Sequence, residues 1–472
     1  MVIIPQKFRF FWGSLLILPL IYLYWPRNVT NLLHTRPWRR ASGSIANGTA
    51  GFSKILVINR PARTDRRDAM TLAAAVSNLT LEWVDGVDGG AVEERVLPPG
   101  ARPKPKSSDA AVRGSWRAHM NALRRVVEEG LPSALIMEDD VDWDLRIKSQ
   151  LQAFGAASNT WLQTTRNAMS QPTDASGLSD QPIMYRPKRH NTARRDDTDK
   201  LDHEAAEHDS ILLDQISTST AFSASSSPNH SYGEGWDVLW LGHCGTEFPD
   251  EATTSLPPLR VVIADDPTVP APHHLKPHPF ASHDALGSLY PPHTRVVHAA
   301  TSPGTACTLA YAVSQRGARK LLWQFGLEDF SSQWDLMLGS WCAGGYVNGQ
   351  REENENDTEH GDGGDEVGKS TADVGEKAHG ESRGRSRRGR EGRTKGQQRQ
   401  QPTCLTVQPP IFGHYFAKKG ASDIRGQGGG YVSKVGTPYV RWSVRMNLGL
   451  LAEGGSAADV VDQLPDEGEA MW

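Results

Sequence analysis

Two long stretches of the chain are too polar to form part of a hydrophobic core, and they limit what the remaining sequence can build. Residues 149–231 are dominated by Ser, Thr, Asp, Arg, His and Asn, and residues 345–403 by Gly, Glu, Arg and Gln. Neither stretch buries enough apolar area to offset its ordering entropy, so both are predicted to be disordered insertions. Without them and roughly 50 N-terminal residues, about 280 residues remain, enough for one large core. We therefore expect one domain over residues 53–450, followed by a flexible tail over 451–472.

The first apolar segment, Phe8–Trp25, is uncharged except for Arg9. Its length is close to the roughly 20 residues that cross a bilayer, and its aromatic residues suit the membrane interfaces. A cleaved signal peptide is the alternative, but bulky aromatics stand where small residues should mark the cleavage site. The segment is thus predicted to be a transmembrane anchor, with residues 1–7 as a cytoplasmic tail and residues 26–52 as a stem.

The residues downstream of this segment carry a sign of a lumenal location. Glycosylation acceptor triplets begin at Asn28, Asn47, Asn78, Asn229 and Asn356. Because charges flank both ends of the apolar segment, these triplets are the better guide to orientation, and they favour a single-pass protein of the Golgi or endoplasmic reticulum. The formal net charge of −4 gives no overall basic excess that would favour nucleic acid as a partner.

Four cysteines, Cys244, Cys307, Cys342 and Cys404, lie in predicted core segments. No two form a CxxC pair, so their spacing does not favour a zinc site or a thioredoxin-like motif. Cys342 and Cys404 flank the second insertion, where a disulfide would close its base, and this leaves Cys244 with Cys307. Other pairings and buried free thiols remain as alternatives.

Strand and helix patterns alternate along the rest of the chain. Apolar runs indicate strands at Lys54–Asn59, 79–85, 134–137, 236–241, 308–314 and 404–412. Helical spacing of apolar residues indicates helices over 68–76, after Gly114, over 315–325 and from about Asp335. This order predicts an α/β fold with a mixed, mostly parallel sheet flanked by helices.

Carboxylates follow one of these buried strands directly, at Glu138, Asp139, Asp140 and Asp142. Such a cluster is costly to desolvate, and it stands at the carboxyl end of a strand, where open α/β sheets bind ligands. A hard cation such as Mn²⁺ or Mg²⁺ would relieve the repulsion and bridge to a diphosphate. Strand alternation would put Asp139 on the side opposite the other three. The alternative is a solvated turn whose acids cap a helix.

Several of these segments together resemble glycosyltransferase family 25, which includes bacterial lipopolysaccharide β-galactosyltransferases and animal collagen galactosyltransferases. The resembling segments are Ile55–Arg66, Trp83–Gly86, Gly114–His119, Leu135–Val141, Trp236–Gly242, Ala310–Ala318, Trp334–Asp335 and Val407–Phe412. The resemblance implies a fold of the GT-A type over the domain, a UDP-sugar donor and inversion at the anomeric carbon. It also implies a metal held by a DxD-like motif, which falls on Glu138, Asp139 and Asp140.

Donor-binding roles can be assigned to residues near the ends of the first strands. Asn59, Arg63 and Arg66 follow the first strand, where the arginines would meet phosphate, although solvated charge at a helix start is the alternative. Asp85 ends the second strand and would accept hydrogen bonds from uracil or ribose, or else simply form a turn before Gly86. Glu138 and Asp139 complete the predicted donor site.

Inverting transfer needs one carboxylate to take the proton of the acceptor hydroxyl. Asp335 is the candidate base, with a helix N-cap as its alternative role, and Asp142 is the second candidate. His414 is predicted to bind the metal beside Asp140, unless it is a surface histidine. His119, which borders the apolar stripe of its helix, is predicted to be packed and not to be a ligand.

The sequence thus predicts an inverting, metal-dependent hexosyltransferase that moves galactose from UDP-galactose to a glycan or glycoprotein acceptor. Two alternatives remain open. One is an inactive relative that only binds glycans or protein partners. The other is a glycoside hydrolase that works with two carboxylates.

Overall fold

The computed structural model describes most of the expected core. The described residues are 44–98, 110–170, 210–212, 231–250, 253–275, 284–302, 304–347, 350–351, 401–416 and 436–471. The predicted anchor Phe8–Trp25 lies outside them, as does most of each predicted insertion. Among the helices of the described residues, none combines the length and the apolar character needed to cross a bilayer.

Helices and strands alternate through the described residues. The helices are α1 (Thr64–Val76), α2 (Ala110–Glu128), α3 (Ile147–Ser170), α4 (Ala285–Leu289), α5 (Gln315–Trp323), α6 (Trp334–Cys342) and α7 (Leu448–Ala452). The strands are β1 (Lys54–Asn59), β2 (Leu81–Asp85), β3 (Ser133–Glu138), β4 (Val141–Trp143), β5 (Ser210–Leu212), β6 (Val238–Gly242), β7 (Arg260–Ile263), β8 (Arg295–Ala299), β9 (Ala310–Ser314), β10 (Tyr346–Val347), β11 (Gln350–Arg351), β12 (Cys404–Gln408) and β13 (Phe412–His414).

The main sheet has the strand order β2-β1-β3-β9-β6-β12-β8-β7-β5, and β13 joins it by pairing with β6 and β4. Along that order, β9 and β8 pair antiparallel with both of their neighbours, while all other neighbouring pairs are parallel. The other strands therefore share one direction. This arrangement confirms the prediction of a mixed, mostly parallel sheet.

Helices cover both faces of the sheet because the strand residues are apolar on both sides. In β1, Ile55 and Val57 pack with Met70 of α1 and Phe154 of α3. The intervening Leu56 packs into a second cluster on the other face, together with residues of α2, α5 and α6. Such a strand, buried on both faces, is typical of a parallel sheet between two helical layers.

The first predicted insertion begins later than the sequence suggested. Residues 149–170 belong to α3, and Leu151, Phe154 and Trp161 on this helix are fully buried. These apolar residues are separated by Ser, Thr, Asn and Gln, so the average composition concealed an amphipathic helix. The prediction of disorder over 149–231 is therefore wrong for α3 and for β5, which pairs with β7.

The packed unit also extends beyond both ends of the expected domain. Upstream, Ala50 and Phe52 of the predicted stem are buried in the core. Downstream, Leu464 of the predicted tail is buried, and Asp462 forms an ion pair with Arg441 at 2.5 Å. Both segments are therefore packed parts of the domain.

The parallel strands β2, β1 and β3 bring three polar residues to one edge of the sheet. Asn59 at the end of β1 is in register with Asp85 at the end of β2. On the other side of β1, Ile58 is in register with Glu138 at the end of β3. Residues far apart in the chain therefore meet at this edge.

Candidate functional site

The acid cluster forms a tight turn between two strands. β3 ends at Glu138, residues 139–140 form the turn, and β4 begins at Val141. The turn interrupts the strand alternation, so Asp139 and Asp140 face the same partner. The Nη1 atom of Arg66 lies 2.5 Å from Asp139 Oδ1 and 2.9 Å from Asp140 Oδ2. The prediction that Asp139 points away from the other acids is therefore wrong.

Arg66 and Asn59 together hold Asp139. The Nδ2 group of Asn59 donates to Asp139 Oδ2 at 2.8 Å. Burial raises the pKa of Asp139, and the charge of Asp140 adds to this, while Arg66 and Asn59 oppose it. Burial also disfavours the charged form of Arg66, but the charges of Asp140 and Asp139 raise its pKa overall. The turn and the guanidinium thus stabilise each other's charge.

Asp140 faces His414 from a strand far along the chain. β13 pairs antiparallel with β4, which brings His414 Nε2 within 3.5 Å of Asp140 Oδ2. Although burial disfavours both charged forms, their mutual attraction lowers the pKa of Asp140 and raises the pKa of His414. The Oδ1 atom of Asp140 and the Nδ1 atom of His414 are buried and have no hydrogen-bond partner among the described residues. Each residue therefore keeps one uncommitted polar atom.

Glu138 is the most accessible acid of the turn. Its Oε1 atom accepts a hydrogen bond from Thr308 Oγ1 at 2.8 Å and lies 3.6 Å from His119 Nε2. The other ring nitrogen of His119 is 3.1 Å from the hydroxyl of Tyr311, and the ring stacks on Trp334. His119 is 2% exposed, so it is a packed residue that supports Glu138, as expected.

Asp335 lies in the first turn of α6, one position after the first helical residue, so it is not the N-cap. Its Oδ2 atom accepts a hydrogen bond from the backbone N–H of Cys307 at 3.0 Å, and Oδ1 accepts one from Leu336. Burial raises the pKa of Asp335, and the nearby charge of Glu138 raises it further. A carboxylate of increased basicity is suited to accepting a proton.

Asp142, the second candidate base, has a structural role. It is 0% exposed and accepts hydrogen bonds from the hydroxyls of Thr437 and Ser443 and from the backbone N–H of Arg445 and Trp143. These contacts saturate the carboxylate and attach the 437–445 segment to β4. A fully buried carboxylate with four donors cannot reach an acceptor hydroxyl, so the assignment of Asp142 as a base is wrong.

A cavity of about 650 Å³ collects most of these groups. Its lining includes Arg66, Glu138, Asp139, Asp140, His414 and Asp335. Three of the predicted donor residues do not line it. Arg63 forms an ion pair with Asp65 at 2.9 Å, and Asp85 is exposed beside the lining residue Gly86. Asn59 acts indirectly, through Asp139.

The opposite wall of the cavity is made where the loop after β2 packs on α2. A side chain at Gly89 would place its Cβ 1.5 Å from the carbonyl oxygen of Ala110, and one at Gly114 would be 2.5 Å from that of Val87. Because only glycine permits this close approach, the loop and α2 pack tightly and form one wall of the cavity, to which Arg60 and Ser115 also contribute.

Sequence reasoning missed two residues that organise the site. Thr308 holds Glu138, and its position follows from the antiparallel pairing of β3 with β9. Arg445 donates to the backbone carbonyls of Asp139 and Val141 from the end of the chain. No local pattern marks either residue, because strand pairing and a distant loop bring them to the turn.

The structure forms two disulfides, Cys244–Cys307 and Cys342–Cys404. These are the pairings that the position of the second insertion favoured. The first bridge lines the cavity. The second joins the end of α6 to the start of β12, so both ends of α6 lie close to a covalent link.

No metal centre is preformed in the part of the chain that the structure describes. Within those residues, no three or more His, Cys, Asp or Glu side chains are grouped so that they would hold a metal ion by themselves. Asp140 and His414 are the pair that would provide two ligands, with the remaining positions left to a substrate or to water.

No protein-family model matches the chain. Over 111 residues it is 32% identical to procollagen galactosyltransferase 2 of Mus musculus and to that of Homo sapiens. It is 29% identical over 111 residues to procollagen galactosyltransferase 1 of Danio rerio. The matches cover 21–22% of this chain and 18% of each relative. The chain is therefore related, over part of its length, to proteins named as galactosyltransferases.

Proposed function

We propose that this chain is a metal-dependent, inverting glycosyltransferase that moves galactose from UDP-galactose to a glycan or glycoprotein acceptor. One observation carries the proposal. A single cavity brings together the Glu138–Asp140 turn, Arg66, His414 and Asp335. The partial similarity to procollagen galactosyltransferases supports galactose as the sugar, and it makes a procollagen-like polypeptide the first acceptor to test.

The nucleotide part of the donor fits the wall formed by the 86–89 loop and α2. The small lining residues Gly114, Ser115 and Ala118 leave room for a flat base, and Arg60 lies beside them. In the same cavity, the guanidinium of Arg66 already faces two carboxylates. In the bound complex it would also attract the diphosphate.

The residues present fit a divalent cation at Asp140 and His414. This assignment is supported by Asp140 Oδ1 and His414 Nδ1, which have no hydrogen-bond partner within the part of the chain that the structure describes. A carboxylate with an imidazole suits Mn²⁺, and phosphate oxygens commonly complete such sites. When bound, the ion would offset charge that develops on the leaving diphosphate.

Asp335 is the proposed base. It takes the proton of the acceptor hydroxyl while the hydroxyl oxygen forms a bond to C1 of the sugar. The bond between C1 and the diphosphate oxygen breaks, and UDP leaves with the electron pair. Burial makes Asp335 a stronger base than an exposed aspartate. Glu138, which stays partly exposed, is placed to accept hydrogen bonds from sugar hydroxyls.

We extend the proposal to the location of the enzyme. The two disulfides support an oxidising compartment, and the apolar segment Phe8–Trp25 would anchor the chain there. The lumen of the Golgi or endoplasmic reticulum satisfies both requirements.

The test is a donor screen with the full-length chain in detergent. Release of UDP is measured for UDP-galactose, UDP-glucose and UDP-N-acetylglucosamine, with Mn²⁺, Mg²⁺ or EDTA and a procollagen-like peptide. We expect metal-dependent release from UDP-galactose that Asp335→Asn abolishes. Asp459→Asn is the matched control, because this aspartate is exposed, lies outside the cavity and accepts hydrogen bonds from Ser456.

Two results would replace the proposal with one of its alternatives. Absence of UDP release from every donor, although UDP binds, would favour an inactive binding protein. Cleavage of a glycan without any donor would instead favour a carboxylate-based hydrolase.

A further inference from the structure

The Cys244–Cys307 disulfide meets the proposed base through a single peptide group. Both cysteines line the cavity, and the backbone N–H of Cys307 donates to Asp335 Oδ2 at 3.0 Å. The disulfide and the carboxylate are thus attached to the same residue, one through its side chain and the other through its main chain. A change at the bridge can therefore directly alter the hydrogen bond that Asp335 accepts.

Cys307 has a backbone conformation that residues with side chains rarely adopt. Its φ is +65°, in the left-handed region where a Cβ crowds the following carbonyl. Surrounding contacts must hold it there. The carbonyl of Cys307 accepts a hydrogen bond from Trp240 Nε1 at 2.9 Å, and the adjoining Ala306 pairs with Gly245. The disulfide closes the same small ladder, because Cys244 N donates to the carbonyl of Ala306.

We propose that the Cys244–Cys307 disulfide is a positioning element for catalysis, which keeps the Cys307 N–H directed at Asp335. The inference rests on the proposed function only in naming Asp335 as the base. A hydrogen bond to a carboxylate favours its charged form, so the contact keeps Asp335 deprotonated at a lower pH than burial alone would allow. The bridge thereby extends the pH range over which the base can act.

The second disulfide provides a matched control. Cys342–Cys404 closes a segment with a sequence separation of 62, against 63 for Cys244–Cys307. The chain entropy released by opening either bridge is therefore nearly equal, and so is the expected loss of stability. Cys342 also lies on α6, but at the end away from Asp335. General loosening of the fold should affect both variants alike, whereas repositioning of the base should affect only one.

The test compares kcat/KM against pH for the full-length chain with Cys244→Ser and Cys307→Ser, and with Cys342→Ser and Cys404→Ser. The acid limb is the low-pH side of this profile, where kcat/KM falls as Asp335 becomes protonated. For the first pair we expect the acid limb to move up by about one pH unit, because a hydrogen bond to a charged group has that order of effect. The second pair should keep the wild-type limb. An unchanged limb in the first pair, or an equal shift in both, would overturn the inference.

Two further variants separate backbone conformation from covalent linkage. Cys307→Gly with Cys244→Ser should return the limb toward the wild-type position, because glycine adopts a positive φ without steric cost. Trp240→Phe keeps the bridge but removes the hydrogen bond to the Cys307 carbonyl, so it should shift the limb in the same direction by less. This variant keeps the inference testable if the chains without the bridge do not fold.

A measurement without turnover distinguishes this inference from the proposed function. The pH dependence of unfolding is compared for Asp335 and Asp335→Asn, with and without the Cys244–Cys307 bridge, since the difference reports the carboxyl pKa. A higher pKa without the bridge supports the inference even if no sugar is transferred. Identical pH dependence in both backgrounds overturns it, even if the wild type proves to be a transferase.

Discussion

His414 Nε2 lies 3.5 Å from Asp140 Oδ2, although Asp140 is in the turn before β4 and His414 is on β13, in the opposite half of the chain. The contact exists because β13 pairs with β4 directly after the acid turn. It joins the most N-terminal strands of the site to the C-terminal part of the fold. Several measurable consequences follow from this and neighbouring contacts.

The Asp140–His414 pair should control metal affinity. We expect Asp140→Asn and His414→Ala each to weaken Mn²⁺ binding in the presence of UDP by at least about tenfold, because even the mutation of an outer-shell partner of a metal ligand has an effect of this size. Isothermal titration calorimetry measures the affinity. His293→Ala is the matched control, since this histidine also faces an aspartate, Asp466, but outside the cavity. Equal Mn²⁺ affinity in all variants would refute the assignment.

Asp335→Asn should reduce kcat by about 10²–10⁴-fold, the range typical of a lost general base, and should leave the KM for the donor nearly unchanged. In the wild type, activity requires the deprotonated carboxylate. Because burial raises its pKa, activity should fall with decreasing pH before an ordinary aspartate would protonate. A pH profile of kcat measures this limb, and its persistence in Asp335→Asn would argue for another base.

Asp142→Ala should reduce stability by about 3 kcal/mol, since it leaves buried donors of Thr437, Ser443 and Arg445 without an acceptor. Urea denaturation provides the free energy of unfolding. Asp335→Asn should be much less destabilising, because an amide oxygen can keep one of the two hydrogen bonds. A large loss of activity in Asp142→Ala without loss of stability would restore it as a candidate for catalysis.

Arg66→Ala should destabilise the fold more at pH 7.5 than at pH 4.5. Asp139 already has a raised pKa, and loss of the guanidinium would raise it further. A group whose pKa is higher in the folded state contributes stability below its unfolded pKa and loses it as the pH rises through the folded pKa. The variant should therefore lose stability as the pH rises from the unfolded-state pKa of Asp139 to its folded-state pKa. Urea titrations at pH 4.5 and pH 7.5 measure this loss. If the free energy of unfolding differs from that of the wild type by the same amount at both pH values, this prediction is wrong.

Local sequence patterns located the centre of the site but did not determine its geometry. The apolar run before Glu138 was sufficient to predict a buried strand that ends in acids. The turn at Asp139–Asp140 was not predictable, because four carboxylates in sequence fit a strand or a turn equally well. Contacts with Arg66 on α1, Asn59 on β1 and His414 on β13 decide which way these side chains point.

The sequence could not predict roles that depend on contacts between residues far apart along the chain. Asp142 belongs to the acid cluster in sequence, whereas Asp335 stands apart from it, and the donors from Thr437, Ser443 and Arg445 that give Asp142 a structural role lie about 300 residues away. For α3, the apolar face was outweighed by the polar composition of the 149–231 stretch that contains it. Averages over long windows conceal short amphipathic segments.

The Cys342–Cys404 bridge has a practical consequence for handling the protein. A protease that cuts anywhere between these two cysteines yields fragments that remain covalently joined. On a non-reducing gel such a nicked chain would migrate near its full mass, and it would separate into two bands only after treatment with a thiol. Apparent integrity on the first gel is therefore not proof of an uncut polypeptide.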